Sequence, residues 1–269
     1  MKPTKTISEV LISLLRRAGE IMLSAHEVSH DEGGGVKVKP GTANFVTVYD
    51  VAVQDFLINA IKEEIPDAVF IAEEKENDSA VLMGEHCFII DPIDGTTNFI
   101  HDYKRSSISL AMISKGETVF GAVYDPYLNE LFHAEKGKGA YLNETPIHVS
   151  DREIGYAVVA FGTCPYYKDT LADNTFALAK DLFLVTSDVR RPGSAALDLS
   201  YVAAGRNDLF FELILSPWDI AAGALIITEA GGVITQGDGA PIDLSAPCPV
   251  FAGNPVAHPE LLRIAAKYL

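Results

Sequence analysis

The chain has 269 residues, 48% of them hydrophobic and 22% charged, and its 37 acidic against 21 basic side chains give a net charge of −16. Such a composition supplies an ample core for one large domain or two closely packed halves. The acidic balance argues against a phosphate-backbone binder, whose surface needs clustered Lys and Arg, and suits either a soluble surface or a protein that gathers divalent cations. No 18-residue apolar run occurs, and the charged N-terminus carries no uninterrupted apolar signal region. Cys87, Cys164 and Cys248 are scattered without a CxxC pair, which speaks against a disulfide framework or zinc ribbon and for a reducing cytoplasm.

Thr6-Ile7-Ser8-Glu9 has the form of a capping box, and Ile7, Val10, Leu11, Leu14, Leu15, Ala18, Ile21 and Met22 follow at helical spacing. "DEGGGVKVKPGTAN" (31–44) reads as a loop or loose hairpin. A second helix is predicted from near Asp50, with Val53, Phe56, Leu57, Ala60 and Ile61 on one face, ending before Pro66. "AVFIA" (68–72) and "CFII" (87–90) are short strands that each end in acids. "SISLAMIS", "TVFGAVYD", "ELFHAE" and "GAYLN", joined by Lys-Gly and Gly-Lys turns, predict an antiparallel meander over 107–143. Beyond about residue 155 strands and helices alternate. "YAVVAF" is a strand, 168–183 and 195–205 are helices, and "DLFFELI" is extended. "WDIAAGALIITEAGG" is a helix with a Gly C-cap, "VITQ" and "PVFAG" are strands, and 258–269 closes as a helix. The order predicts an α/β layered sandwich, a single domain over 1–269 built from two packed halves of roughly 1–155 and 156–269.

Acids gather where strands end. Glu73 and Glu74 follow one strand; Asp91 and Asp94, in "IIDPIDGTTNFIH" (89–101), follow its neighbour, which places them on one rim of a sheet. Hard oxygen ligands with few competing lysines are what Mg²⁺ requires. Gly95-Thr96-Thr97 would open a helix whose free N–H groups face an anion. Taken singly, an Asp before a turn is more often a cap and a Glu pair more often a solvated surface. Together they point to a Mg²⁺-dependent phosphoryl site.

"DPIDGTTNF" resembles the first signature of the inositol monophosphatase family, and "WDIAAGALIITEAGG" (218–232) resembles its second, at the expected separation. The similarity runs almost end to end, to "GNPVAHPELL". It implies an αβαβα layered fold, a homodimer, and a phosphatase using two or three Mg²⁺ ions and a metal-activated water that attacks phosphorus in line without a phosphoenzyme. Carried over by position, Glu73 in Ala72-Glu73-Glu74-Lys75 is a metal ligand, although the family's turn reads G-E-E-S and the Ala and Lys departures alter it. Asp91 bridges two ions, the Ile93 carbonyl binds one and Asp94 the other, and Asp219 is a further ligand that completes the shell of the second ion. Thr96, paired to Asp50, holds the attacking water, so that Glu73, Asp94, Thr96 and Asp50 form the catalytic set. Gly95 and Thr96 amides take phosphate oxygens. Gly193, Ser194 and Ala195 form the substrate rim beside Asp94 and Asp219, Glu212 contacts substrate hydroxyls, and Lys39 matches a lysine of the family's metal-site loop.

Other features carry less. The seven histidines show no HExxH or close pairing, Trp218 fixes Asp219 by packing, Gly137 and Gly139 are turn residues, and no Walker sequence occurs. Arg190 and Arg191 either attract an anionic substrate or pair with surface acids. The resemblance puts inositol 1-phosphate first among small phosphomonoester substrates, ahead of fructose 1,6-bisphosphate, histidinol phosphate and 3′-phosphoadenosine phosphates. From a different class, bacterial relatives that associate with transcription and ribosome factors raise the alternative of a non-catalytic regulatory binding protein. Neither nucleic acid nor membrane is an expected partner.

Overall fold

In a computed structural model that describes residues 6–25, 28, 35–39 and 45–269, the first capping box forms as the sequence implies. Thr6 Oγ1 accepts from the Glu9 amide at 3.2 Å, Glu9 accepts from the Thr6 amide at 2.7 Å, and α1 (Ile7–Leu23) follows. A second capping box, Thr47 with Asp50, starts α2 (Val48–Glu64) two residues earlier than the apolar spacing predicts. Asp50 is therefore the third residue of that helix. Short strands β1 (Val36–Val38) and β2 (Phe45–Thr47) pair antiparallel ahead of it. The rest of the 31–44 prediction lies outside the described residues.

The meander is present and longer than predicted. β3 (Val69–Ala72), β4 (Cys87–Asp94), β5 (Ser107–Ser114), β6 (Glu117–Asp125), β7 (Glu130–Glu135), β8 (Ala140–Leu142) and β9 (Thr145–Ile147) form one sheet in chain order, antiparallel after the parallel β3–β4 pair. β4 does not stop at Ile90 but runs on through both aspartates into α3 (Thr96–Ile100). The second sheet holds β10 (Val158–Phe161), β11 (Asp188–Arg190), β12 (Leu209–Leu215), β13 (Val233–Thr235) and β14 (Cys248–Gly253), in the order β11-β10-β12-β14-β13. The helices of this half are α4 (Lys168–Phe183), α5 (Ala195–Ala203), α6 (Pro217–Glu229) and α7 (His258–Ala265).

Period-2 alternation along the strands sorts their side chains into three cores. In β4, Phe88 and Ile90 join Leu15, Leu57 and Ile61 of α1 and α2, while Cys87 and Ile89 join Leu199 and Ile226 of α5 and α6. In β12, Phe210 shares that second core, and Leu209 and Phe211 pack with Leu178 and Leu261 of α4 and α7. The layers run α1/α2, seven-stranded sheet, α5/α6, five-stranded sheet, α4/α7, a mixed α/β fold of αβαβα type. α5 and α6 are thus held between the sheets, and their N-termini meet the end of β4. No helix of the described residues is long and apolar enough to cross a membrane.

Candidate active site

Residues three apart in a regular strand point to opposite faces. Asp91 pairs with Ser109 and Asp94 with Ser107, so three steps on β4 face two on β5. This bulge re-aims Asp94 and turns both carboxylates to one side. Asp94 then meets the start of α5: Ser194 Oγ donates to its Oδ2, the Ala196 amide to Oδ2 at 2.9 Å and the Ala195 amide to Oδ1 at 3.3 Å. Asp219 is held at the start of α6, where it accepts from the Ser216 amide at 2.7 Å. Asp91, Asp94 and Asp219 each present an oxygen within 4.8 Å of the others.

Burial is the largest cause raising the pKa of all three. The charges of Glu73, Asp94 and Asp219 add to it at Asp91, and those of Asp94 and Glu73 at Asp219, while hydrogen bonds from Ser194 and the α5 amides oppose it at Asp94. Buried carboxylates at this separation need a compensating charge. Three converging hard-oxygen donors fit a divalent ion such as Mg²⁺.

Glu73 lines the same cavity from the end of β3. Its turn is closed by Asn77, which accepts from the Ala72 amide at 2.9 Å and donates to the Ala72 carbonyl at 2.8 Å. The expectation of few competing lysines needs correction here. Lys39, next to β1, donates to Glu73 at 3.2 Å and to Glu74. Burial nonetheless carries Glu73 up to about 7, against the pull of Lys39. Lys75 stays out of the site, its ammonium bound to the Phe70 carbonyl at 2.9 Å.

Gly95 connects β4 to α3 at φ +84, and a Cβ there would lie 3.0 Å from the Gly193 carbonyl oxygen and 3.1 Å from that of Arg105. Asn98 ties the same junction together by donating to the Arg105 and Pro192 carbonyls at 2.8 and 2.9 Å. The Thr96 hydroxyl lies 3.1 Å from the Ile93 carbonyl and 3.4 Å from Asp50 Oδ1. Asp50 Oδ2 is taken by the Thr47 amide at 2.8 Å and by the Thr47 hydroxyl, and burial lifts Asp50 to about 6. The Thr96–Asp50 link is therefore present but long, and it competes with Ile93 for a single hydroxyl proton.

Glu212 lies within β12, in the stretch the sequence reads as extended. It is only 6% exposed, accepts from the Cys164 amide at 2.9 Å, and is raised to about 7 by burial. A Cβ on Gly162 would lie 1.8 Å from its Oε2. Of the two arginines, Arg190 pairs with Asp188, whereas Arg191 lines the cavity and donates to Thr163 Oγ1 at 3.2 and 2.7 Å. Trp218 packs against the core between the sheets beside Asp219.

One cavity of about 710 Å³ gathers Lys39, Glu73, Asp91, Ile93, Asp94, Gly95, Thr96, Gly193, Ser194, Ala195, Glu212 and Asp219; Asp50 stands behind Thr96. None of the described histidines lines it. Sequence reasoning missed Ser107, 3.5 Å from Asp94, and the cavity residues Tyr166 and Tyr167, whose place in "CPYYKD" gives no periodic signal.

Residues 4–269 match the model of the inositol monophosphatase family. The Nus factor SuhB of Pasteurella multocida is 39% identical over 234 residues, 86% of this chain and 85% of that protein. Among solved structures, the IMPase of Thermotoga maritima has a TM-score of 0.85 at 34% identity, covering 96% of this chain and 95% of its own. The extragenic suppressor protein suhB of Bartonella henselae has a TM-score of 0.88 at 33% identity, covering 98% and 100%.

Proposed function

The chain belongs to the inositol monophosphatase family, and on that premise we propose that it is a Mg²⁺-dependent phosphomonoesterase. Its substrate is myo-inositol 1-phosphate or a related polyol phosphate, cleaved to the alcohol and inorganic phosphate. The observation that carries the reading is the meeting of Asp91, Asp94 and Asp219, drawn from both halves of the chain, in the cavity that also holds Glu212.

Asp91, Asp94 and Asp219, with Glu73 and the Ile93 carbonyl, would hold the ions. Bound Mg²⁺ supplies Lewis acidity, neutralising the phosphoryl oxygens and easing deprotonation of water. The first N–H groups of α3, which a helix leaves without internal partners, take phosphoryl oxygens through Gly95 and Thr96. When the Thr96 hydroxyl donates its hydrogen bond to Asp50 instead of to the Ile93 carbonyl, its lone pairs turn toward the attacking water. Gly193, Ser194 and Ala195 bound the substrate side, and Glu212 accepts hydrogen bonds from the alcohol. Lys39 offsets the Glu73–Glu74 charge from the rim.

A homodimer in a reducing cytoplasm completes the reading, in accord with three cysteines that are all buried and free. The names of the SuhB relatives favour a second reading, in which the chain also binds a regulatory partner. A panel of phosphomonoesters assayed with Mg²⁺ and ranked by kcat/KM tests the proposal. A polyol phosphate at the head of the ranking is expected, and no turnover of any member would leave the binding role alone.

A further inference from the structure

The segment 162–167 borders the cavity, and the roles above use none of its side chains. Its path is set by Glu212. Gly162 gives that carboxylate room, the Cys164 amide donates to it at 2.9 Å, and Cys164 turns the chain at φ +45. A 3-10 turn (Pro165–Tyr167) follows, closed by the Tyr167 amide on the Cys164 carbonyl at 2.8 Å. Tyr166 is thereby placed on the wall of the cavity whose floor is Glu73, Asp91, Asp94 and Asp219.

The residue is 45% exposed, and its hydroxyl makes no hydrogen bond among the described residues. Burial, then the charges of Glu73, Asp219, Asp91 and Asp94, push the phenol far above its usual pKa. A phenol is protonated near neutral pH in any case, so this hydroxyl is a donor without an acceptor among the described residues. Glu73, Asp91, Asp94 and Asp219 line the same cavity as Tyr166, so a group bound over those acids has the phenol on its flank. A group bound between that floor and the phenol would be the phosphoryl group.

We propose that Tyr166 is a catalytic residue that donates a hydrogen bond to a phosphoryl oxygen of the substrate. The proposal rests on the phosphatase reading and divides the labour within it: Glu212 reads the alcohol, and Tyr166 reads the phosphoryl group whatever the alcohol. Because Glu212 also fixes the Cys164 turn, the two contacts share one anchor.

Tyr166→Phe keeps the ring and removes the hydroxyl. A hydrogen bond to a charged acceptor is worth about tenfold to a hundredfold in binding. The variant should lose about that factor in kcat/KM equally on a polyol phosphate and an aryl phosphate. By calorimetry with Mg²⁺ present, its affinity for inorganic phosphate should fall by a similar factor, with thermal stability unchanged. Wild-type affinity for inorganic phosphate in Tyr166→Phe overturns the proposal, and so does a loss confined to the polyol phosphate. If the wild-type protein binds inorganic phosphate through this hydroxyl yet hydrolyses no ester, Tyr166 keeps its role and the phosphatase reading falls instead.

Discussion

Asp94 reaches across the site to Ala196. Its Oδ2 accepts that residue's amide proton at 2.9 Å, so a carboxylate at the end of β4 caps a helix 102 residues further along the chain. The same side chain that faces Asp91 and Asp219 thus also fixes where α5 begins, and with it the Gly193–Ala195 rim.

Asp94→Asn should abolish turnover with little change in stability. The amide retains one acceptor for the cap, and loss of a buried charge relieves repulsion from Asp91 and Asp219. These effects oppose the weakened bonds to α5, so the melting temperature should move by only a few degrees. Steady-state kinetics and a thermal melt check this. A folded variant with more than a tenth of wild-type kcat, a loss below about 1.4 kcal/mol, would reduce Asp94 to a helix cap.

The metal-free protein should lose stability as pH rises through the range about 6 to 7. Asp50 is raised to about 6, and Glu73 and Glu212 to about 7, each chiefly by burial. Between the unfolded carboxylate values and these, the folded state holds more protons than the unfolded state. Stability therefore falls with increasing pH. Bound Mg²⁺ should flatten the slope and raise the melting temperature through linkage. Melts from pH 5 to 8, with Mg²⁺ and with chelator, measure both effects; a metal-free protein most stable at pH 8 would contradict the burial of these acids.

Glu212→Gln should raise KM for inositol phosphate several-fold while leaving an aryl phosphate nearly unchanged. Glutamine keeps an acceptor for the Cys164 amide, so the 162–167 turn survives and only the charge toward the polyol is lost. Glu212→Ala removes the anchor as well, and should harm both substrates. Equal losses on both substrates in the glutamine variant would count against a polyol contact.

Thr96→Ala should lower kcat by about 10² to 10⁴ with KM nearly constant, the scale of positioned proton transfer. A helix-start role alone would cost about 1 kcal/mol of stability and little rate. Asp50→Asn should do comparable damage, because Asp50 is the acceptor that sets the direction of the Thr96 hydroxyl. Since the two act as a unit, the double variant should be little worse than either single one. Losses that multiply would separate their roles.

Much of this was legible in the chain. Thr6 and Glu9 announced the first helix, alternation announced the meander, and "DPIDGTTNF" with "WDIAAG" announced the acids that meet. What the sequence hid depends on long-range placement. The bulge in β4 exists only against Ser107 and Ser109 of β5, and Lys39 meets Glu73 from 34 residues away. β11, reading Asp-Val-Arg, is a strand because β10 pairs with it; it has no apolar run of its own. Glu212 gave a signal that went unread: a lone acid inside "FFELIL" must be buried, and a buried acid needs a partner, here the Cys164 amide.

Phosphate release from myo-inositol 1-phosphate, followed in chelator and then on addition of Mg²⁺, tests the central claim most directly. The account predicts no release in chelator, turnover restored by Mg²⁺, and none in Asp219→Asn under either condition. Full turnover in excess chelator, or a wild-type rate from Asp219→Asn, would contradict it.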